Sequence, residues 1–271
     1  MKIAFLGGGN MAGALIGGLL AKGYAADSIS VVEVVAQARE SLVARYKLHV
    51  SASADERTFG ADTIVLAVKP QDMRSAVSPL SGRLGEQLVI SIAAGIRLQD
   101  LSRWLGGYTK MVRVMPNTPA LIGAGIAGLY AGNDVSGDER SRAEAILGAV
   151  GKVVWVGDES LIDPVTAVSG SGPAYVFYFI ESLEKAGVQL GLSPETARTL
   201  AIQTFVGAAR LAAESSEPPG TLRERVTSKG GTTEAALKVF ASEDIAGSIA
   251  KALKAAADRG AELGRILGKD D

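Results

Sequence analysis

The sequence predicts an α/β fold, a doubly wound parallel sheet, with an all-helical domain following it. Three observations predict it. Short apolar runs alternate with amphipathic stretches through residues 1–160, a glycine-rich turn follows the first run, and after Leu161 only helical periodicity remains. Alternating β and α with buried-looking strands is the pattern of a parallel sheet covered by helices on both faces.

The strand-like runs are Lys2–Leu6, Ile29–Val32, Thr63–Val68, Leu88–Ile92 and Lys110–Met115, with Gly125–Tyr130 and Val153–Val156 as two more. Between them, Met11–Lys22, Ala36–Tyr46, Met73–Leu80, Leu98–Leu105 and Asp138–Leu147 carry helical spacing. In the second part, Pro173–Leu190 begins AYVFYFIESL and is apolar nearly all round, so it is expected to be buried on every side. Pro194–Ser215 sets Ala201, Thr204, Ala208 and Leu211 on one face, and Ile245–Leu267 carries Ile249, Leu253, Ala256, Leu263 and Ile266. The domains divide as 1–160 and 161–271. A helical domain of that size cannot cover Pro173–Leu190 alone, which points to a homodimer through it.

Net charge is −1 with both signs interspersed, so no basic patch marks a nucleic-acid partner. No stretch approaches the roughly 20 apolar residues that span a bilayer. The opening MKIAFLGGGN is too rich in glycine, and its apolar run too short, for a signal peptide. The absence of cysteine excludes disulfides and thiolate chemistry and fits a reducing, cytoplasmic setting. His49, the single histidine, sits in the run LHV as a strand or loop residue. It has no second histidine with which to build a metal site, and no metal is expected.

The chemistry-bearing signals begin with FLGGGNMAGAL, which places Gly7, Gly9 and Ala12 as G-x-G-x-x-A between a strand and a helix. Gly7 permits the tight turn, Gly9 lets backbone approach a pyrophosphate, and Ala12 lets helix and strand pack closely, the Rossmann arrangement for dinucleotides. Glu33, at the end of the second strand-like run, stands where an acid holds ribose hydroxyls. LAVKPQ (Leu66–Gln71), SIAAGI (Ser91–Ile96) and RVMPNTPA (Arg113–Ala120) end three further runs at the sheet edge where ligands bind. Asn117 and Thr118 lie between two prolines that stiffen the last of these. SGSGPAY (Ser169–Tyr175) reads as a flexible loop before a helix start at Pro173. In SKGGTTEAAL (Ser228–Leu237), glycines followed by threonines that could cap a helix suggest a backbone nest for an anion such as a carboxylate.

Taken together, GGGNMA, AVKPQ, SIAAG, RVMPNTPA, VSGSGPAYVF and TSKGGTTEAA resemble the Δ1-pyrroline-5-carboxylate reductase family, in its order and spacing and over essentially the whole chain. The resemblance implies reduction of 1-pyrroline-5-carboxylate to L-proline with NADPH or NADH, the last step of proline biosynthesis. It implies an N-terminal Rossmann domain and a C-terminal helical dimerisation domain, whose dimers associate in some members into decamers. Leu6, Gly7, Gly8, Gly9, Asn10, Met11, Ala67, Val68, Lys69 and Pro70 would contact the cofactor. Ala93, Ala94 and Gly95 would lie near the nicotinamide, and Glu33 and Asn117 belong to the same cofactor set. Ser228, Gly230, Gly231, Thr232 and Thr233 would hold the substrate from the partner subunit, with Thr233 at the ring nitrogen as the catalytic contact.

The residue inventory agrees with that chemistry. A cyclic imine can take its proton from solvent, so the protein has mainly to orient an iminium and fix its carboxylate. Two other readings share the plan. A β-hydroxyacid dehydrogenase needs a lysine base in the helix after its glycine loop, but the helix after Gly172 has no lysine before Lys185. A non-catalytic dinucleotide sensor would need the glycine motif but not GGTT. Where members of the reductase family carry a small polar residue and arginine after the second strand, this chain has Glu33–Val34, which favours acceptance of NADH.

Overall fold

The computed structural model describes residues 1–269. Its contacts divide the chain into one unit formed by Met1–Ser171 together with the stretch from Ala255 onward, and another formed by Gly172–Lys254.

The first unit is built on an eight-stranded sheet in the order β3-β2-β1-β4-β5-β6-β7-β8. Its strands are β1 (Ile3–Leu6), β2 (Ile29–Val32), β3 (His49–Ser51), β4 (Thr63–Leu66), β5 (Leu88–Ser91), β6 (Met111–Met115), β7 (Gly125–Ala131) and β8 (Gly151–Trp155). Successive side chains leave a strand on opposite faces. Phe5, Val31, Val65 and Ile90 therefore join one apolar cluster with α1 (Asn10–Ala21), while Leu6, Val32, Leu66 and Val89 join a second. The helices that follow are α2 (Ala36–Tyr46), α3 (Glu56–Phe59), α4 (Met73–Val77), α5 (Leu98–Trp104) and α6 (Gly137–Leu147). α6 lies on the first cluster through Ala143 and Ile146, and α4 and α5 lie on the second through Met73 and Leu101. Helices on both faces are what strands buried on both sides require.

The sheet departs from the all-parallel expectation at one place. β7 runs antiparallel to β6, and β8 then runs parallel to β7. Residues 116–124 alone join β6 to β7, too few for the crossover of a dozen or more residues that a parallel return needs. His49 opens β3, a strand missing from the sequence-read set, and its Nε2 lies 2.7 Å from Asp55 Oδ2. Asp55 caps α3 through Oδ1, which accepts from the N–H groups of Arg57 and Thr58, each at 3.1 Å.

Residues 161–171, expected in the helical domain, belong with the sheet. Ile162 is buried in α7 (Ile162–Val165), and Val165 occupies the space a side chain on Gly128 would need. SGSGPAY also differs from its expected loop. Thr166–Gly170 forms a π-turn, and α8 (Gly172–Gln189) starts after Ser171. Pro173 has no N–H with which to reach back four residues to the Ser169 carbonyl. Asn117 Nδ2 donates to that carbonyl instead, at 3.2 Å.

In the second unit, α8 packs against α9 (Pro194–Glu214). α10 (Pro219–Arg225) and α11 (Thr232–Ser242) follow, and α12 (Ile245–Leu267) starts there and ends in the first unit. The expectation that Pro173–Leu190 is buried on every side is not met within one chain. α8 has no buried residue, and Phe177 and Tyr178 are 66% and 67% exposed.

Candidate active site

The dinucleotide motif sits where β1 meets α1. Gly7 has φ +98°, and a Cβ there would stand 2.7 Å from the Ala67 carbonyl oxygen. Gly8 carries none because Leu42 fills the space. Gly9 differs from both, because a Cβ on it would meet nothing within 4 Å. The protein's own packing thus explains Gly7 and Gly8 but leaves the space beside Gly9 open. Gly9 is also the N-cap of α1 without any side-chain cap, so the N–H groups of Asn10 and Met11 point outward at the positive end of the helix. Ala12 is buried under the sheet, as close packing demands.

Leu6, Gly7, Gly8, Gly9, Glu33, Ala67, Val68 and Lys69 are brought together as walls of one cleft of about 620 Å³ at the carboxyl ends of β1, β2 and β4. Asn10 lines a smaller neighbouring cavity with Gly8 and Gly9. Met11 packs on the core, and Pro70 opens a 3-10 turn, Pro70–Asp72, beside the cleft. Ala93, Ala94 and Gly95 follow β5, the neighbour of β4, but are not among the cleft's walls. Asn117 is apart as well. It is buried and bridges the Ser169 carbonyl and the Ile126 N–H, the latter at 3.0 Å, so its amide braces backbone. Sequence reasoning missed Ala52, Ser53 and Ala54, which also wall the cleft. The signal that could have found them is that they follow the carboxyl end of β3.

Glu33 is fixed at both carboxylate oxygens. Oε2 accepts from the Gly8 N–H at 3.0 Å, and Oε1 accepts from the Val35 N–H at 2.8 Å. Arg39 Nη1 donates to the carbonyls of Glu33 and Val34 at 2.9 and 2.8 Å. The charged side chains lining the cleft are Glu33, Lys69 and Asp72.

Ser228, Gly230, Gly231, Thr232 and Thr233 lie together in the second unit, the first three between α10 and α11 and the two threonines opening α11. The nest differs from the sequence reading. Gly230, at φ +73°, donates its N–H to Glu234 Oε2 at 2.8 Å, and the Gly231 N–H goes to the Ser228 carbonyl at 3.0 Å. Gly231 is the N-cap, and no side chain caps α11, so the threonines are not caps. As with Ser228, the N–H and hydroxyl groups of Thr232 and Thr233 find no acceptor among the described residues. They share the first turn of a helix, where an anion is favoured. Lys185 is exposed and paired with Glu181, far from the role of a buried base. No group of His, Cys, Asp and Glu suited to a metal ion occurs among the described residues.

Comparison with known proteins bears on both regions. A model described as pyrroline-5-carboxylate reductase dimerisation matches residues 159–263, and one described as NADP oxidoreductase coenzyme F420-dependent matches residues 2–95. The chain is 47% identical over 269 residues to pyrroline-5-carboxylate reductase of Pseudomonas aeruginosa, covering 99% of this chain and 98% of that one. The chain belongs to the pyrroline-5-carboxylate reductase family. The Haemophilus influenzae member is 44% identical, over 96% of this chain and 97% of its own. A solved pyrroline-5-carboxylate reductase from Coxiella burnetii superposes with a TM-score of 0.93 at 42% identity, covering 97% of this chain and 98% of that one. The Plasmodium falciparum enzyme, solved with NADP bound, gives 0.85 at 30% identity, with the same coverage. With its family, this chain is an NAD(P)-dependent oxidoreductase.

Proposed function

We propose that the two sites divide the family's reaction, the reduction of 1-pyrroline-5-carboxylate to L-proline at the end of proline biosynthesis. The cleft beside Gly9 holds the dinucleotide, and the first turn of α11 holds the substrate. The observation that carries this reading is the open space at Gly9 beneath outward-facing helix N–H groups, a cradle that a Cβ would fill. A reduced nicotinamide dinucleotide supplies the hydride when bound. Leu6–Met11 and Ala67–Pro70 hold it, and Ala93–Gly95 stand toward its nicotinamide end. Thr232 and Thr233 offer N–H and hydroxyl donors to the substrate carboxylate, and Thr233 meets the ring nitrogen. Orientation is the main task, since the imine can be protonated by solvent and needs no buried base. The loop acts from the partner subunit of a homodimer, a form that the match to a dimerisation model supports, and dimers can assemble further toward a decamer. No described helix is long and apolar enough to cross a membrane, and the cytoplasm is the proposed setting.

NADH serves at least as well as NADPH in this reading. A carboxylate can accept from a free ribose 2′-hydroxyl but repels a 2′-phosphate. At ~4–5 Å and an effective dielectric near 20 the repulsion is roughly 3 kcal/mol before solvent screening. Val34 adds no positive charge, and for Arg39 to reach a phosphate it would have to leave the carbonyls of Glu33 and Val34. The test is kcat/KM for both cofactors in the wild type and in Glu33→Ser with Val34→Arg. The double variant is expected to shift preference toward NADPH. A wild type that prefers NADPH tenfold or more, unshifted in the variant, would show that Glu33 does not read the ribose.

A further inference from the structure

We propose that the last turns of α12 position the Ala93–Gly95 loop, with Gly264 as the residue that lets the helix lie against it. The loop is tied at both ends. Before it, the Ile92 N–H donates to the Leu66 carbonyl at 3.1 Å, keeping it next to the cleft wall at Ala67. After it, the Leu98 N–H donates to Glu159 Oε1 at 2.8 Å, and the same oxygen receives buried Arg113 Nη1 at 3.1 Å. Between those ties Gly95 turns at φ +77°, and its outer side is covered by α12. A Cβ on Gly95 would stand 3.3 Å from Leu267 Cδ1, 3.5 Å from Leu263 Cβ and 3.6 Å from the Gly264 nitrogen.

The contact is equally close from the helix side. A Cβ on Gly264 would lie 3.1 Å from the Gly95 carbonyl oxygen and 3.3 Å from Arg97 Nε. Arg97 is a flexible chain that can give way, whereas the Gly95 carbonyl is backbone held in a left-handed turn. One helical turn further on, Arg103 donates to the Gly268 carbonyl, and the buried carboxylate of Asp100 occupies the space a Gly268 side chain would take. The helix end is therefore clamped to α5 just beyond the loop. One turn earlier the approach is ordinary, since a Cβ on Gly260 would stand 3.6 Å from Asp163 Oδ1. Closeness thus begins where α12 meets the loop and continues to Gly268, and a methyl group at 264 must move either the helix or the Gly95 carbonyl.

The inference rests on the proposal that Ala93–Gly95 stand toward the nicotinamide. Its test compares Gly264→Ala, Leu267→Ala and Gly260→Ala with the wild type. The readouts are turnover of 1-pyrroline-5-carboxylate, affinity for NADH, and affinity for ADP-ribose, which lacks the nicotinamide. Leu267→Ala removes bulk instead of adding it, so it keeps the test alive should Gly264→Ala not fold. Gly264→Ala and Leu267→Ala are expected to lose roughly 10-fold in kcat/KM for NADH, because small displacements near a reacting centre are costly. Their ADP-ribose affinity is expected to stay within about twofold of wild type, and Gly260→Ala to behave as wild type. Wild-type kinetics in both loop-facing variants, or an equal loss of ADP-ribose binding, would overturn the inference. A wild type without turnover would instead overturn the reaction proposed above.

Discussion

In the unit built on the sheet, β1, β2, β4 and β5 are buried at every position. In Gly172–Lys254, Ala197 and Ala201 are the buried residues, although α8 alone carries Val176, Phe177, Tyr178, Phe179 and Leu183 in the open. Both stretches are rich in apolar residues, so composition does not separate them. The difference is whether apolar surface finds its complement within one chain. Alternating faces of a sheet find theirs in helices from the same sequence. Two alanines cannot be the core of a helical unit, and burying a side chain the size of Phe177 is worth about 1.5–3 kcal/mol. The second unit, which lies within the stretch matched by the dimerisation model, leaves its apolar helix faces uncovered in one chain, and it also carries the Thr232–Thr233 donors.

The largest expected effect sharpens the reading of the first unit. Gly9→Val has free space to fill, so it should fold with the wild-type Tm yet lose dinucleotide affinity on the order of 100-fold, about 2.7 kcal/mol. Gly8→Ala should do the reverse and lower Tm, because its methyl meets Leu42. Calorimetry with NADH titrations on both variants checks this. If Gly9→Val binds normally, the open space is not the pyrophosphate site.

The second unit has its own test in Thr233→Ala. Loss of one orienting hydrogen bond, worth ~1.5–3 kcal/mol, should lower kcat/KM for the imine roughly 10- to 100-fold while NADH affinity holds. An equal loss of NADH affinity would give the loop a different job.

The smallest effect concerns the wall at Ala52–Ala54. Burial works against ionisation of Asp55, but hydrogen bonds from His49 and Thr58 outweigh it and hold the carboxyl below its ordinary value. A carboxyl with a depressed folded-state pKa stabilises above the unfolded value, and that stability is lost as pH falls through the folded one. Asp55→Ala should therefore cost ~0.5–2 kcal/mol at neutral pH, as losing a helix cap does. The gap to wild type should close below about pH 4. Urea melts across pH 3–8 check it, and a gap that stays constant with pH would refute the assignment.

Much of this was legible in the sequence. β2, α2 and α12 begin and end as read. The Gly7–Gly9 turn was legible because strand, turn and helix must coincide there. The antiparallel β7 was not, since an apolar run carries no direction and only the short 116–124 link betrays it. The π-turn was misread as a loop because Ser and Gly normally signal one, whereas Asn117 supplies the donor that Pro173 lacks. Nor could spacing show that Gly230 and Gly231 spend their N–H groups internally, as Glu234 takes one of them only in three dimensions.

The central claim is that one region is complete in a single chain and the other is not. Light scattering on the purified protein at micromolar concentration, with NADH-dependent turnover measured on the same samples, tests it most directly. The wild type is expected to have the mass of a dimer or a multiple of it. Phe177→Asp should shift that mass toward the monomer and lower turnover with it, since removing a central aromatic anchor costs ~2–4 kcal/mol. A wild type that is monomeric, stable and fully active would contradict the account.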